Sequence, residues 1–335
     1  MKFFGIESFL VEGSSFNSSL KDSPYDRLPL GSKNLVRKEI WDLSKNSAGI
    51  SIRFITNSSF IAVKWLLLND FTMHHMPDTG IKGVDLYCKS LNRWQFIGTG
   101  IPEKKSNQKT IIKNLSVKKR EFKLYLPLYD GVKKLEIGIQ NHSFIEKPPK
   151  PSKKPIVFYG TSITQGGCAS RPGLAHTNII SRKTDIDCIN YGFSGNGRME
   201  KTIVSILAET DALFYFIDCL PNMTKTQVEK NTIALVEIIR KKNPLTPIVF
   251  IENIIFESAY FDKKIKKELK EKNLELKKQF DKMMNEKIKN IFCISHKGAI
   301  GKDHEGTIDG VHFNDLGFMR YSNFLITNFK KMKIL

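Results

Sequence analysis

The apolar positions of the chain keep one rhythm up to about residue 140 and another from residue 156 onward. From Val36 to about Gln140, strand-length segments at 49–56, 59–66, 84–88, 94–98, 121–126 and 134–139 are apolar and partly alternating. Clusters of Asn, Ser, Gly and Pro separate them, the pattern of short strands joined by turns. Several such strands at this spacing predict a β-sandwich. Beyond residue 155, continuous apolar runs at 156–159, 187–191, 212–218, 247–253 and 290–294 alternate with polar amphipathic segments such as 226–242. That order predicts strand, helix, strand, helix, and so a parallel, doubly wound sheet covered on both faces. The Lys-rich stretch 261–289 carries Ile265, Leu269, Leu276, Phe280 and Met283 at helical spacing. It predicts a surface helix with one apolar stripe.

Between the two rhythms lies Glu146-Lys-Pro-Pro-Lys-Pro-Ser-Lys-Lys-Pro155, proline-spaced and charged, which suits an extended connector. The expected organisation is an all-β domain over 1–145, a linker over 146–155 and an α/β domain over 156–335.

A length of 335 residues with 41% hydrophobic content suits two ordinary cores. No run approaches the roughly 18 apolar residues that a membrane helix requires. The opening Met1-Lys-Phe-Phe-Gly-Ile-Glu-Ser-Phe-Leu10 is too short and too soon charged for a secretory signal. The expectation is no membrane span and a cytoplasmic location, with the periplasm or secretion as the alternative if a targeting segment is missing from the sequence. The net charge of +19 raises the question of nucleic acid, because clustered Lys and Arg neutralise phosphates. Here the excess is mostly Lys, is spread along both halves and comes without a recognition-helix or aromatic-interleaved pattern. A solvated surface is expected, not a specific nucleic-acid site. Cys88, Cys168, Cys188, Cys219 and Cys293 have no C-x-x-C spacing and no local His partner, so neither a disulfide framework nor a zinc site is suggested. Most read as small packed hydrophobes. Nothing in the composition speaks to oligomeric state.

Candidate chemistry begins at Ile156-Val-Phe-Tyr-Gly-Thr-Ser-Ile-Thr-Gln-Gly166, where an apolar strand stops at Gly160 and puts Ser162 on the turn that follows. Ligands of open α/β sheets gather beyond the carboxyl ends of strands, so Ser162 stands where a nucleophile is useful. Alone, the segment reads equally well as a helix cap made by Thr161, Ser162 and Thr164. Near the other end, Thr307-Ile-Asp-Gly-Val-His-Phe-Asn-Asp-Leu-Gly317 sets Asp309 and His312 three positions apart. An attacking serine needs a base to take its proton, and that base needs an acceptor to hold its tautomer and stabilise its charged form. One loop offers both. Two further loops follow strands of the same sheet. Asn190-Tyr-Gly-Phe-Ser-Gly-Asn-Gly197 has small residues that let backbone N–H groups approach a ligand, and Asp218-Cys-Leu-Pro-Asn222 ends in a side-chain amide. A tetrahedral oxyanion needs preorganised donors of these kinds.

Ser162 in Gly-Thr-Ser-Ile-Thr-Gln-Gly, Gly195 in Phe-Ser-Gly-Asn-Gly, Asn222 in Leu-Pro-Asn-Met and Asp309/His312 in Asp-Gly-Val-His together resemble the four blocks of the SGNH (GDSL-type) hydrolase superfamily, in order. Tyr25-Asp-Arg-Leu-Pro, Asn46-Ser-Ala-Gly, His75-Met-Pro and Gly83-Val-Asp-Leu-Tyr87 resemble the β-rich N-terminal domain of a two-domain branch of it. The likeness runs from about Tyr25 to Met319. It implies a flavodoxin-like sheet in the second domain, with Ser162 as nucleophile, His312 as base and acid, and Asp309 as its orienting carboxylate. Oxyanion donors would be the Ser162 and Gly195 backbone N–H groups and the Asn222 side chain. Neither metal nor organic cofactor is implied. The implied reaction is removal of a small acyl group, acetyl above all, from a carbohydrate or similar polar ester. An acyltransferase using the same site and a non-catalytic carbohydrate-binding protein are the alternatives. Two departures stand out: Thr161 replaces the Asp of the GDSL name, and Pro221 and Met223 flank Asn222 where Gly-x-Asn-Asp is usual.

Thr161, Arg198 and His75 are further candidates for substrate contact. For Arg198 a structural ion pair with Glu200 at a helix start is the stronger expectation. Adjacent histidines point apart on most backbones, so His74 and His75 are not expected to share a metal, although their loop could reach over the catalytic face. Asp85 is expected to close a β-turn or an interdomain hydrogen bond, Asp218 to bond neighbouring backbone, and Cys168 to pack.

Overall fold

The computed structural model describes residues 1–335. Its first half contains β1 (Lys2–Phe4), β2 (Leu10–Glu12), α1 (Lys38–Ser44), β3 (Ser51–Thr56), β4 (Ile61–Leu67), α2 (Asp78–Lys82), β5 (Val84–Ser90), β6 (Arg93–Gly100), β7 (Ser106–Ile112), β8 (Arg120–Tyr125), β9 (Val132–Ile139) and β10 (Ile145–Glu146). Two antiparallel sheets result. One runs β1-β9-β4-β7, and the other runs β10-β3-β8-β5-β6 with β2 paired to β3. Ile52, Phe54, Val63, Trp65, Leu86, Phe122, Leu124 and Ile137 fill the space between them. These residues alternate along their strands with positions that face outward, and this period of two is what makes the layer a sandwich.

The second half contains β11 (Ile156–Gly160), α3 (Ser162–Gln165), α4 (His176–Thr184), β12 (Cys188–Gly192), α5 (Lys201–Leu207), β13 (Phe214–Asp218), α6 (Lys225–Lys242), β14 (Ile248–Ile251), α7 (Lys263–Asn285), β15 (Ile291–Ile294) and α8 (Asp315–Lys331). All five strands are parallel, in the order β12-β11-β13-β14-β15. The parallel sheet is the one the apolar runs predict, and its order is that of the flavodoxin-like sheet the family resemblance implies. The strands are apolar throughout because both faces are buried. Val157, Tyr159, Tyr215 and Ile217 meet α5, α6 and α7 on one face, while Ile156, Phe158, Phe214 and Phe216 meet α4 and α8 on the other. The chain passes from β11 to β12 on one side and then crosses to β13 on the other. The carboxyl end of β11 is therefore the topological switch point.

The two antiparallel sheets of the first half are the sandwich the sequence predicts, with the short helices α1 and α2 added to it. Helix α1 packs Ile40 and Trp41, with Leu28 and Val36, against the parallel sheet and not inside the sandwich. The connector at 146–155 separates the strands of the two halves but not their cores. Strands β1, β2, β7 and β10 have no counterpart in the apolar pattern: three are two or three residues long, and Ser106-Asn-Gln-Lys-Thr of β7 is polar enough to read as a turn. No helix is long and apolar enough to cross a membrane. All five cysteines are free, with Cys168, Cys188 and Cys219 buried.

Asp218, expected to bond neighbouring backbone, instead accepts a hydrogen bond from the Tyr321 hydroxyl of α8 at 2.9 Å. Burial pushes its carboxyl up to about 6. The folded state thus holds the Asp218 proton more tightly than the unfolded chain, so this group's contribution to stability is full at low pH and declines as pH rises from about 4 to about 6. Asp218→Asn cannot ionise and keeps an acceptor for Tyr321. Relative to this variant, the parent protein is expected to lose up to about 3 kcal/mol of stability across that window. Denaturant midpoints at several pH values measure this, and parallel pH profiles for the two proteins would contradict it.

Candidate active site

Gly160 ends β11 where an added Cβ would stand 2.1 Å from Thr164 Oγ1 and 2.6 Å from the Asp218 carbonyl oxygen. Only glycine permits so tight a turn from strand into α3. Ser162 is the first residue of that helix, so its N–H has no intrahelical acceptor. Its hydroxyl lies 2.8 Å from His312 Nε2, and His312 Nδ1 lies 2.7 Å from Asp309 Oδ2. The loop bearing both partners closes on itself, because Asp309 Oδ1 accepts from the His312 and Val311 N–H groups at 2.8 and 3.0 Å. Helix α8 starts directly behind it, capped by the Asn314 side chain on the Gly317 N–H. Burial works to raise the Asp309 carboxyl, but the hydrogen bonds from the His312 ring and the two N–H groups outweigh it and hold it below the usual range. An ionised Asp309 fixes the Nδ1–H tautomer and leaves Nε2 free to accept the serine proton.

In-register pairing of Gly160 with Gly192 and Asp218 brings the loops after β12 and β13 to the same sheet edge as Ser162. Gly195 has φ +71°, a left-handed conformation that suits glycine, and its N–H donates no hydrogen bond within the protein. Asn222 ends a short 3-10 turn and accepts the Gly197 N–H on its Oδ1 at 3.2 Å. This orients the amide with its NH2 turned away from that contact. With Pro221 and Met223 on either side, Asn222 lies in the loop after β13, at the sheet edge that carries Ser162.

The weaker candidates separate. Thr161 is fully buried, and its hydroxyl accepts the Ile163 N–H at 3.3 Å, so it caps α3 and does not face substrate. Arg198 does not pair with Glu200, which binds Arg37 at 2.8 Å. Its guanidinium instead donates to the Gly195 carbonyl at 3.0 Å and braces that loop. His74 is exposed, whereas the His75 ring lies 5.7 Å from that of His312. The sandwich loop does reach the catalytic face. Cys168, 4% exposed, packs beside both histidines, and burial, with the Asp309 charge adding to it, pushes its thiol up to about 12. At neutral pH it is a protonated thiol and no nucleophile.

Sequence reasoning passed over the residues that hold this edge together. Gln165, fully buried, donates to the Leu128 carbonyl at 3.0 Å and accepts the Ser194 N–H at 3.1 Å, tying α3, the sandwich and the glycine loop into one unit. Arg27 donates to the Asn190 and Gly192 carbonyls at the end of β12. Asp315 accepts from the Ser170 N–H and hydroxyl at 2.9 and 2.5 Å. Gln165 lies inside the first motif and Arg27 inside Tyr25-Asp-Arg-Leu-Pro, yet neither spacing nor periodicity signals what they touch.

Asp85, from the Gly83-Val-Asp-Leu-Tyr87 segment, makes the interdomain bond. It is fully buried and accepts from Arg171 Nη1 at 2.7 Å, the Gly173 N–H at 2.8 Å and the Thr99 hydroxyl at 2.8 Å. Arg171 and Gly173 belong to the connection between α3 and α4.

The chain matches the GDSL-like lipase/acylhydrolase family over residues 153–330, and the GxDLY-type N-terminal domain of SGNH-hydrolase-type esterases over residues 1–145. No curated protein sequence matches it. Among solved structures it is similar to a Bacteroides ovatus protein described as a GDSL-like lipase, with 35% identity, TM-score 0.94 and coverage of 98% of this chain and 97% of that one. A salicylyl-acyltransferase from a tetracycline biosynthetic pathway shares the fold at 16% identity and TM-score 0.82, covering 100% of this chain and 98% of its own. A family two carbohydrate esterase from Clostridium thermocellum, solved with cellohexaose, shares it at 12% identity and TM-score 0.64, covering 86% and 94%. The chain belongs to the GDSL-like lipase/acylhydrolase family. It is an esterase of the SGNH type whose N-terminal domain carries the GxDLY motif.

Asp85→Ala leaves the Gly173 N–H and Arg171 without their buried acceptor, and it is expected to cost about 3 kcal/mol. A denaturant melt with unchanged slope measures this; a loss within about 0.5 kcal/mol, the scatter of ordinary surface changes, would show the contact to be dispensable.

Proposed function

We propose that the protein is a serine esterase that removes a small acyl group, acetyl above all, from a carbohydrate or similar polar alcohol. The observation that carries the reading is the relay from Ser162 Oγ to His312 Nε2 at 2.8 Å and from His312 Nδ1 to Asp309 at 2.7 Å. In the first half-reaction Ser162 Oγ attacks the ester carbonyl as its proton passes to His312. The new imidazolium is stabilised by Asp309, and the oxyanion is held by the Ser162 N–H, the Gly195 N–H and the Asn222 amide. Collapse of the tetrahedral intermediate breaks the bond to the alcohol, which leaves with the proton from His312. Water, deprotonated by His312, then attacks the acyl-serine by the same route and releases the acid.

Preference for a small acyl group and a polar alcohol rests on what flanks the serine. The His75 ring lies 5.7 Å from that of His312 and Gly197 packs on Gly160 and Thr161, a polar surround, whereas burial of a long acyl chain needs a mostly apolar pocket. Clefts of 430 to 620 Å3 elsewhere on the surface are not lined by Ser162 or His312. The name of the carbohydrate esterase that shares the fold agrees with this substrate class.

Ser162→Ala should lower turnover of p-nitrophenyl acetate and of acetylated oligosaccharides by roughly 10⁴- to 10⁶-fold without moving the melting temperature. Retained turnover would end the assignment of Ser162, and aryl esters that became better substrates as their chains lengthened would end the small-acyl reading. Asn222→Ala should lower kcat by about 10²- to 10³-fold with little change in KM, because its amide acts on charge that develops only in the transition state. A change in KM alone would make Asn222 a substrate contact and not an oxyanion donor.

A further inference from the structure

Hydrolysis makes no use of the Cys168 thiol or of its closeness to two imidazoles. A ring nitrogen of His75, the Cys168 Sγ and a ring nitrogen of His312 lie within 4.8 Å of one another. Three separate segments bring them there: the sandwich loop before α2, the turn after α3 and the loop before α8. His312 Nδ1 is engaged by Asp309 at 2.7 Å, so the nitrogen it has to offer is Nε2.

One thiol and two imidazoles are borderline-soft donors that favour Zn2+ over Mg2+ or Ca2+, which take oxygen ligands. Zn–N bonds of about 2.0–2.1 Å and a Zn–S bond of about 2.3 Å place tetrahedral ligand atoms roughly 3.3–3.7 Å apart. Closure by about 1 Å would complete the set. His75 is half-buried on a loop and can supply the movement, while Cys168 and Phe313 are held together by the Cys168 N–H to Phe313 carbonyl bond at 3.4 Å. Three protein ligands leave the fourth position of the ion for water.

We propose that Zn2+ binds this protein through His75, Cys168 Sγ and His312 Nε2, and that binding switches the esterase off. The ion takes the Nε2 lone pair that accepts the Ser162 proton, and the Cys168 thiol proton passes to solvent as the Zn–S bond forms. The inhibitory consequence rests on His312 being the base of the proposed reaction; the binding site itself does not.

The test therefore reads binding and activity separately. Titration of the intact protein with Co2+ should give one equivalent of a near-ultraviolet thiolate-to-metal absorption band that Zn2+ displaces, and Cys168→Ala should lack the band. Zn2+, but not Mg2+, should inhibit p-nitrophenyl acetate hydrolysis, and EDTA should restore it. Cys168→Ala should keep its activity without metal and need at least about tenfold more Zn2+ for half-inhibition, since loss even of an outer-shell partner weakens metal sites on that scale. Absence of the sulfur band in the native protein, or equal Zn2+ sensitivity in Cys168→Ala, overturns the site. If Cys168→Ala fails to fold, the spectrum of the native protein decides alone. A band with full esterase activity retained would overturn His312 Nε2 as a ligand and, with it, the switch.

Discussion

Arg27 is 1% exposed, and a cation removed from water must be surrounded by acceptors or it unfolds the structure around it. Its guanidinium donates to the carbonyls of Asn190 and Gly192 at 3.2 and 2.5 Å and to that of Leu43 at 2.6 Å, while its flat face lies 4.8 Å from the Phe193 ring centre. Burial lowers its pKa to about 9, still well on the charged side of neutrality. One side chain from the N-terminal segment thus closes the end of β12 and sets where the glycine loop departs. Gly195 lies on that loop, so its N–H is positioned by a residue far earlier in the chain.

The same dependence recurs around the site. Gln165 joins α3 to the sandwich at Leu128, Asp85 holds the connection after α3, and the loop of His75 and Met76 leans on the catalytic face. The two halves have separate sheets, but the edge where Ser162 sits is built by both. A β-sandwich that served only as a tether would need none of these buried polar contacts, each of which costs free energy unless its partner is in place.

The family relationship gains physical content from these contacts. Tyr25-Asp-Arg-Leu-Pro carries the buried Arg27, and Gly83-Val-Asp-Leu-Tyr87 carries Asp85, which binds Arg171 and Gly173. Both N-terminal motifs therefore reach the catalytic half as well as the sandwich core, where Tyr25, Val84 and Leu86 pack. Thr161 in place of Asp is accommodated because the position serves to cap α3, which a hydroxyl does well.

The sequence alone determined the order of strands and helices in the α/β half, because apolar runs and helical stripes are local and both faces of a parallel sheet must be buried. It also determined Ser162 at a strand end and the Asp309–His312 pair, whose spacing within one loop suffices to bring carboxylate and imidazole together. Tertiary structure decided what depends on contacts between distant segments. That α1 packs on the parallel sheet, that Arg198 braces Gly195 instead of meeting Glu200, that Asp218 finds Tyr321, and that His75 and Cys168 gather at His312 follow from how two domains meet. No periodicity or spacing encodes such meetings, since each joins residues whose neighbours in sequence are unrelated.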